Sequence, residues 1–144
     1  MPSVTINNPN LEADGPVLEV QFLISSELEK KYKKENNPLP EPVTVKALID
    51  TGATSCVIQE DIPKKLNLQP VGEVNMSTPS TKGCNCFQYY MRMVIPSHNL
   101  IYEGPFIAAS LDGQNISSLI GRDVLKDSIL IYIGNKNQFT LSIL

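Results

Sequence analysis

The apolar run Ala47-Leu48-Ile49 ends in Asp50-Thr51-Gly52-Ala53, a carboxylate set directly into a tight turn of small residues, and this arrangement occurs once in the 144-residue chain. Three apolar residues ahead of a glycine turn read as a buried strand arriving at a loop. By itself a given tripeptide arises by chance in about a few per cent of chains this long. Its plainest role is a turn in which Asp bonds its own backbone and Gly accepts positive φ. A second apolar-apolar-glycine element, Leu119-Ile120-Gly121, sits near the other end of the chain with hairpin-like sequence between the two, and that pairing gives the turn its interest.

The length fits one domain, long enough for a core but too short for a two-lobed protein with two such aspartates. A net charge of −3 gives no electrostatic case for nucleic acid. The one basic cluster, Lys30-Lys31 with Lys33-Lys34, is interleaved with Glu27, Glu29 and Glu35 and reads as a solvated helix face. No stretch reaches the roughly 20 apolar residues of a membrane span, and residues Met1 to Asn10 lack the order of a signal peptide, so a cytoplasmic, membrane-free protein is expected. Three cysteines, two of them in Cys84-Asn85-Cys86, do not form a disulfide framework. A metal site would need His98 and Cys56 to complete that pair, which is not the paired spacing of structural zinc; no metal or other cofactor is expected.

Along the chain, Val17 to Ile24 and Val43 to Ile49 read as strands, separated by a helix capped by Ser25 or Ser26 and a proline-rich spacer from Pro38 to Pro42. The second strand resumes through Cys56-Val57-Ile58, and Asp61 to Leu66 reads as a short helix. Two alternating runs follow, with Val74, Met76 and Thr78 on one side of the first and Phe87, Tyr89, Met91, Met93 and Ile95 on one side of the second. Pro79 to Gly83 lies between them, which predicts a β-hairpin. Leu100 to Ser110 and Ile116 to Ile120 are extended, Arg122 to Lys126 makes a helical turn or two, and Ile129 to Ile133 pairs with Gln138 to Leu144 across Gly134-Asn135-Lys136-Asn137. The class is all-β, with a last strand whose Phe139, Leu141 and Ile143 form an apolar edge that must be covered.

A carboxylate activates water near neutral pH only if it can hold a proton at one moment and release it the next. Two carboxyls about 3 Å apart cannot both ionise, so they share one proton: the ionised partner takes a proton from a water between them while the other donates to a carbonyl oxygen. Such a pair titrates as a unit. No other acid sits in a matching turn: Asp14 lacks the apolar lead-in, Asp112-Gly113 lacks the threonine, and Asp123 falls in a predicted helix. The second carboxyl must come from another copy of the chain, across a two-fold axis. Gly52 then lets backbone approach the carboxyls, the Thr51 hydroxyl can bond across the axis, and Ala53 keeps the cleft floor small.

On Ala47 to Thr54 and on Leu119-Ile120-Gly121-Arg122-Asp123-Val124-Leu125, with weaker echoes at Met76 to Thr81 and Phe139-Thr140-Leu141, the chain resembles the retropepsin-like, single-lobe aspartic proteases, and their bacterial members most of all. The resemblance covers residues 16–144 after an extension of residues 1–15 and implies a closed-barrel-like fold with one or two short helices, a β-hairpin flap at about 75–95, and a two-fold homodimer. It implies a catalytic Asp50, a cross-dimer bond from Thr51, and a Gly52 carbonyl offered to a peptide. That peptide would be held by Gly52, Ala53, Thr54, Thr78, Pro79, Ser80 and Gly83. Leu119, Ile120, Gly121 and Arg122 would support the active-site loop, and the last strand would interleave with its twin.

Two departures stand out. Thr54-Ser55-Cys56 are uncharged where viral members carry acids, which leaves Arg122 to pair with Asp123, Asp127 or a backbone carbonyl. The flap has one glycine, Gly83, and two cysteines. His98 reads as a surface histidine, Cys56 as a buried small hydrophobe, and Tyr89 and Tyr90 as hairpin packing. A retropepsin-fold module that only dimerises or binds peptides is the alternative to an aspartic endopeptidase, and a monomeric barrel with a purely structural turn is a third reading.

Overall fold

The structure is a computed structural model that describes residues 2–78, 81–96 and 99–144. In chain order it consists of β1 (Ser3–Asn7), α1 (Leu11–Asp14), β2 (Val17–Leu23), α2 (Ser26–Lys34), β3 (Val43–Ile49), β4 (Val57–Gln59), α3 (Asp61–Lys65), β5 (Gly72–Thr78), β6 (Thr81–Ile95), β7 (Leu100–Ala109), β8 (Ser118–Ile120), α4 (Arg122–Leu125), β9 (Ser128–Ile133) and β10 (Gln138–Ile143). The fold is all-β, with helices of a few turns at most.

Seven strands run in the order β2-β3-β8-β4-β7-β6-β5, and a further β2–β6 pairing through Gln21↔Val94, Phe22↔Met93 and Leu23↔Arg92 closes six of them into a barrel. Closure removes the free edges that an open sheet would expose. The barrel interior is filled by alternate residues, among them Val20, Phe22, Met91, Met93, Ile58 and Phe106, with Phe22 edge-on to Phe106 at a ring separation of 5.3 Å. Each such side chain contributes about 1.5–3 kcal/mol of burial. The runs Cys56-Val57-Ile58 and Phe106-Ile107-Ala108-Ala109 do not alternate because β4 and β7 are covered on both sides. Cys56, Ile58, Phe106 and Ala108 face the barrel core, while Val57, Ile107 and Ala109 face a second, smaller apolar cluster.

That second cluster lies under the flap. The strand β6 is long enough to leave the barrel and continue as a hairpin with β5, in register from Gly72↔Gln88 to Met76↔Cys84 with a bulge before Thr78↔Thr81. Phe87 shares the side of Met91, Met93 and Ile95 but lies beyond the barrel rim, so it is 53% exposed rather than packed. Cys86, one position away, is the buried one; Val74 and Met76 of β5 pack against the same cluster. Pro79, Ser80 and His98 lie outside the described residues.

The helix α2 is capped by Ser25, whose Oγ accepts from the Leu28 amide at 3.2 Å, and none of its residues is buried. Its lysine cluster is a solvated face, with Lys33 paired to Glu29 at 3.6 Å. The helix is tethered by Leu28 and Tyr32, half-buried against the main core, and by polar contacts: the Ser26 amide and hydroxyl donate to Glu103, and Arg92 reaches Glu29 at 3.4 Å.

The first fifteen residues hold structure that their sequence does not announce. Strand β1 pairs with β10 from Ser3↔Ser142 to Asn7↔Gln138, β10 pairs with β9 on its other side, and Val4, Leu11, Phe139 and Leu141 are buried in the main core. The last strand is therefore central in a three-stranded sheet of its own chain. The interleaving of that strand with a twin, expected from the resemblance, is not the arrangement found, because both its hydrogen-bonding edges are already taken.

Candidate active site

Strands β3 and β8 run parallel, Ala47↔Ser118 to Ile49↔Ile120, and both end at the same level in a glycine turn. Buried Ile49 and Ile120 anchor the two ends, and the Asp50 amide donates to the Ile120 carbonyl at 2.9 Å. The two motifs of the sequence are thus side by side. Past that point the chain turns on itself: Gly52 N–H donates to Asp50 Oδ1 at 2.8 Å and Ala53 N–H to the Asp50 carbonyl at 3.1 Å. The carboxylate is half-buried, while Thr51 and Gly52 are exposed.

The second motif holds this turn from behind. Arg122 N–H donates to the Ala53 carbonyl at 2.8 Å and Asp123 N–H to the Thr54 carbonyl at 3.2 Å. The Arg122 guanidinium adds two bonds, to the Thr51 carbonyl at 2.7 Å and to Thr54 Oγ1 at 3.1 Å. A backbone carbonyl and a hydroxyl are thus the partners that the uncharged Thr54-Ser55 leaves to this arginine, and the planar fork of Arg suits two acceptors at once. Gly121 is needed for closeness, not for an unusual φ: a Cβ there would lie 2.6 Å from the carbonyl carbon and oxygen of Ser55.

Sequence reasoning missed one clamp. Asp123 accepts from the Cys56 amide at 3.1 Å, from the Cys56 thiol at 3.1 Å and from the Val124 amide at 3.0 Å, and the Gly121 amide points at the Cys56 sulfur at 3.3 Å. The aspartate read as an ordinary residue of a short helix accepts an amide in that helix's first turn and ties the helix to the loop. The available signal was its place in the first turn of α4, where carboxylates accept backbone donors. Burial pushes the Cys56 thiol well above its ordinary range, with the neighbouring Asp123 adding to the effect, so the sulfur is an uncharged packing and bonding group.

A cleft of about 1260 Å³ opens beside the turn, between it, the flap strands and the outer side of β4 and β7. Asp50, Gly52, Ala53 and Thr54 line one wall, with Leu119 at its base; Val74, Met76, Cys84 and Cys86 line the flap side. Glu60 and Lys64 of the α3 region also line it, two charges the sequence did not single out. Thr51 faces elsewhere, into a hollow of about 390 Å³ shared with Arg122, Leu125, Lys126, Ser128 and Leu130. Ile120 and Gly121 are buried supports, Thr78 sits at the bulge of β5, and Gly83 takes φ +68° at the top of β6. No group of three or more His, Cys, Asp or Glu residues that could hold a metal occurs among the described residues.

One carboxylate in such a turn can accept a proton or orient a water, but it cannot act as acid and base together without a second titrating group. Among solved structures, the retropepsin-like aspartic protease from Rickettsia conorii matches at TM-score 0.53 and 17% identity, covering 96% of this chain and 89% of that one. The EIAV protease complexed with the inhibitor HBY-793 matches at TM-score 0.51 and 16% identity, covering 83% of this chain and 92% of that one. The foamy viral protease-reverse transcriptase in complex with an RNA/DNA hybrid matches at TM-score 0.46 and 18% identity over 75% of this chain, which spans only 11% of that much longer one. No curated protein matches the chain. The first two likenesses establish a retropepsin-like barrel, and the profile of the family described as retroviral aspartyl protease matches residues 14–130, so the chain belongs to that family.

Proposed function

We propose that the protein is an aspartic endopeptidase that assembles its site from two Asp50 carboxyls, one from each subunit of a homodimer. The observation that carries this reading is the braced turn: Asp50 stands at the end of a buried strand, is held through Gly121 and Arg122, and opens on a cleft with room for an extended peptide. In the paired state the ionised Asp50 takes a proton from water as its oxygen attacks the scissile carbonyl carbon. The protonated Asp50 donates to the carbonyl oxygen, and collapse of the tetrahedral species returns a proton to the leaving amide nitrogen. Gly52, Ala53 and Thr54 hold the peptide backbone from the wall, and Thr78 and Gly83 close over it from the flap. Two features support a dimer. Thr51 is exposed beside an apolar hollow, and nearby β9 presents Ile129, Ile131 and Tyr132 to solvent. A cytoplasmic setting accords with the three free thiols.

Asp50→Asn keeps the size and hydrogen-bonding shape of the turn and removes the titrating group. Cleavage of a denatured protein mixture at mildly acid pH should fall by about 10²–10⁴-fold, with the dimer retained on sizing. Full proteolysis by the variant removes Asp50 from the mechanism.

A second reading has its own support. Asp50 Oδ1 already accepts the Gly52 amide, as in a purely structural turn, and Thr54-Ser55 are uncharged. Under it the chain is a peptide-binding or dimerisation module. Binding of a statine-type inhibitor without any turnover by the wild type favours that module over the enzyme.

A further inference from the structure

Cys84 and Cys86 stand on the same side of β6 and line the cleft opposite Asp50. Residues two apart on a strand have Cα atoms about 6.6 Å apart, and side chains standing straight out keep that spacing. Here the two sulfurs are 3.9 Å apart, so the side chains lean towards each other over the intervening Asn85. One thiol is exposed and the other is buried against Val57, Ile107, Ala109 and Leu111. The mechanism above uses neither.

We propose that Cys84 and Cys86 form a reversible modification site, closed into an intramolecular disulfide by a low-molecular-weight disulfide of the glutathione class, and that closure reshapes the flap wall of the cleft. Cys84, the accessible thiol, attacks first. Its sulfur displaces one thiol from the small disulfide and the Cys84 proton leaves with it. Cys86 then attacks the Cys84 sulfur, displacing the second small thiol and giving up its own proton to it. The dithiol loses two electrons and two protons, and the small disulfide becomes two thiols. The order agrees with the surroundings, since burial and the neighbouring Cys84 push the Cys86 thiol up and make it a poor first nucleophile.

A disulfide needs Cβ atoms about 3.5–4.5 Å apart, well inside the roughly 6.6 Å that same-side neighbours of a straight strand keep, so closing this ring bends β6 at Asn85. That bend falls where β6 pairs with β5, at Val74↔Cys86, Asn75↔Asn85 and Met76↔Cys84, and next to Gly83 in its left-handed conformation. The flap stem therefore cannot keep its reduced pairing once the ring closes, and the two side chains that line the cleft are drawn together along its wall. Closure itself is independent of the endopeptidase reading; only its effect on turnover rests on that reading.

The test equilibrates the full-length protein in glutathione buffers of increasing oxidation, alkylates the remaining thiols, and maps the bonds by peptide mass. Amide hydrogen exchange of β5 and β6 and peptide cleavage are followed in parallel. The expected result is a Cys84–Cys86 bond with Cys56 still reduced, faster exchange at residues 74–76 and 84–86, and turnover lower by on the order of 10- to 100-fold, all reversed by dithiothreitol. Cys86→Ser should stop at a glutathione adduct on Cys84 and show no exchange change in the hairpin. Absence of the Cys84–Cys86 bond even in oxidised glutathione alone overturns the proposal, as does a bond that leaves both exchange and cleavage unaltered. If the reduced protein cleaves nothing, the endopeptidase reading fails while bond formation and the exchange change still decide this one.

Discussion

Replacing Gly121 by alanine adds one methyl group to the most crowded point behind the Asp50 turn. The new Cβ would lie 2.6 Å from both Ser55 carbonyl atoms and 3.0 Å from the Ala53 oxygen, where ordinary contact begins at 3.4 Å, so about 0.8 Å must be cleared on the Ser55 side. Nothing there is free to give way. Gly121 is fixed by the β3–β8 pairing and by its amide on the Cys56 sulfur, and the Ser55 side by the Cys56–Asp123 bonds and the Arg122 amide on Ala53. Overpacking of this kind costs about 1–3 kcal/mol. With backbone on both sides of the clash the upper end applies, which corresponds to a fall of roughly 10 °C in Tm for a domain of this size. The assay is denaturant or thermal unfolding of Gly121→Ala beside Gly72→Ala. At Gly72 the added Cβ meets only the Gln88 side chain, its movable Oε1 at 3.3 Å and its Cβ at an ordinary 4.0 Å, so that variant should stay within about 0.5 kcal/mol of wild type. A Gly121→Ala protein as stable as the Gly72→Ala control refutes the reasoning that backbone crowding at this glycine braces the loop.

Two other perturbations separate the remaining parts of the site. Arg122→Lys retains the charge but cannot reach the Thr51 carbonyl and Thr54 Oγ1 together. Because the arginine is exposed, stability should change by less than about 1 kcal/mol, while kcat for peptide cleavage falls about tenfold; an unchanged kcat sinks its role as a brace. Burial, with Asp123 and Cys56 nearby, pushes Tyr102 up to about 12 from an ordinary 10. Below pH 10 both folded and unfolded forms are protonated and its contribution is intact; between pH 10 and 12 only the unfolded form loses its proton, so stability falls as pH rises. Allowing for partial exposure of the ring, the loss attributable to Tyr102 is about 1 kcal/mol; Tyr102→Phe should remove it and leave an earlier alkaline loss belonging to the buried Cys56 thiol. Parallel pH curves for the two proteins would contradict that assignment.

Much of this arrangement is legible in the chain because it is local. Ala47-Leu48-Ile49 before Asp50 and Leu119-Ile120 before Gly121 declare two strand ends, and the alternation of Met91, Met93 and Ile95 declares the barrel face of β6. What escaped depends on residues far apart in sequence. Strand β1 offers only Val4 and Ile6 as apolar signals, and its partner begins 131 positions beyond its own end, at Gln138↔Asn7. The exposure of Phe87 follows from where β6 crosses the barrel rim, which its own pattern does not mark. The Cys56–Asp123 clamp joins groups 67 residues apart, and the partners of Arg122 depend on how the loop turns back beneath it. The two motifs mark Asp50 and Gly121 as neighbours; only the fold shows what keeps them together.

The central place of β10, flanked by β1 and β9 of the same chain, uncouples folding from association. A last strand shared between subunits ties the native state to assembly, so that dilution unravels both at once. Here each polypeptide pairs both edges of its own last strand, and if the proposed dimer forms across the Thr51 side, that meeting is a separate equilibrium. Output would then rise with the square of protein abundance at low concentration, leaving a reservoir of intact but idle single chains that any partner capping that side could hold in check.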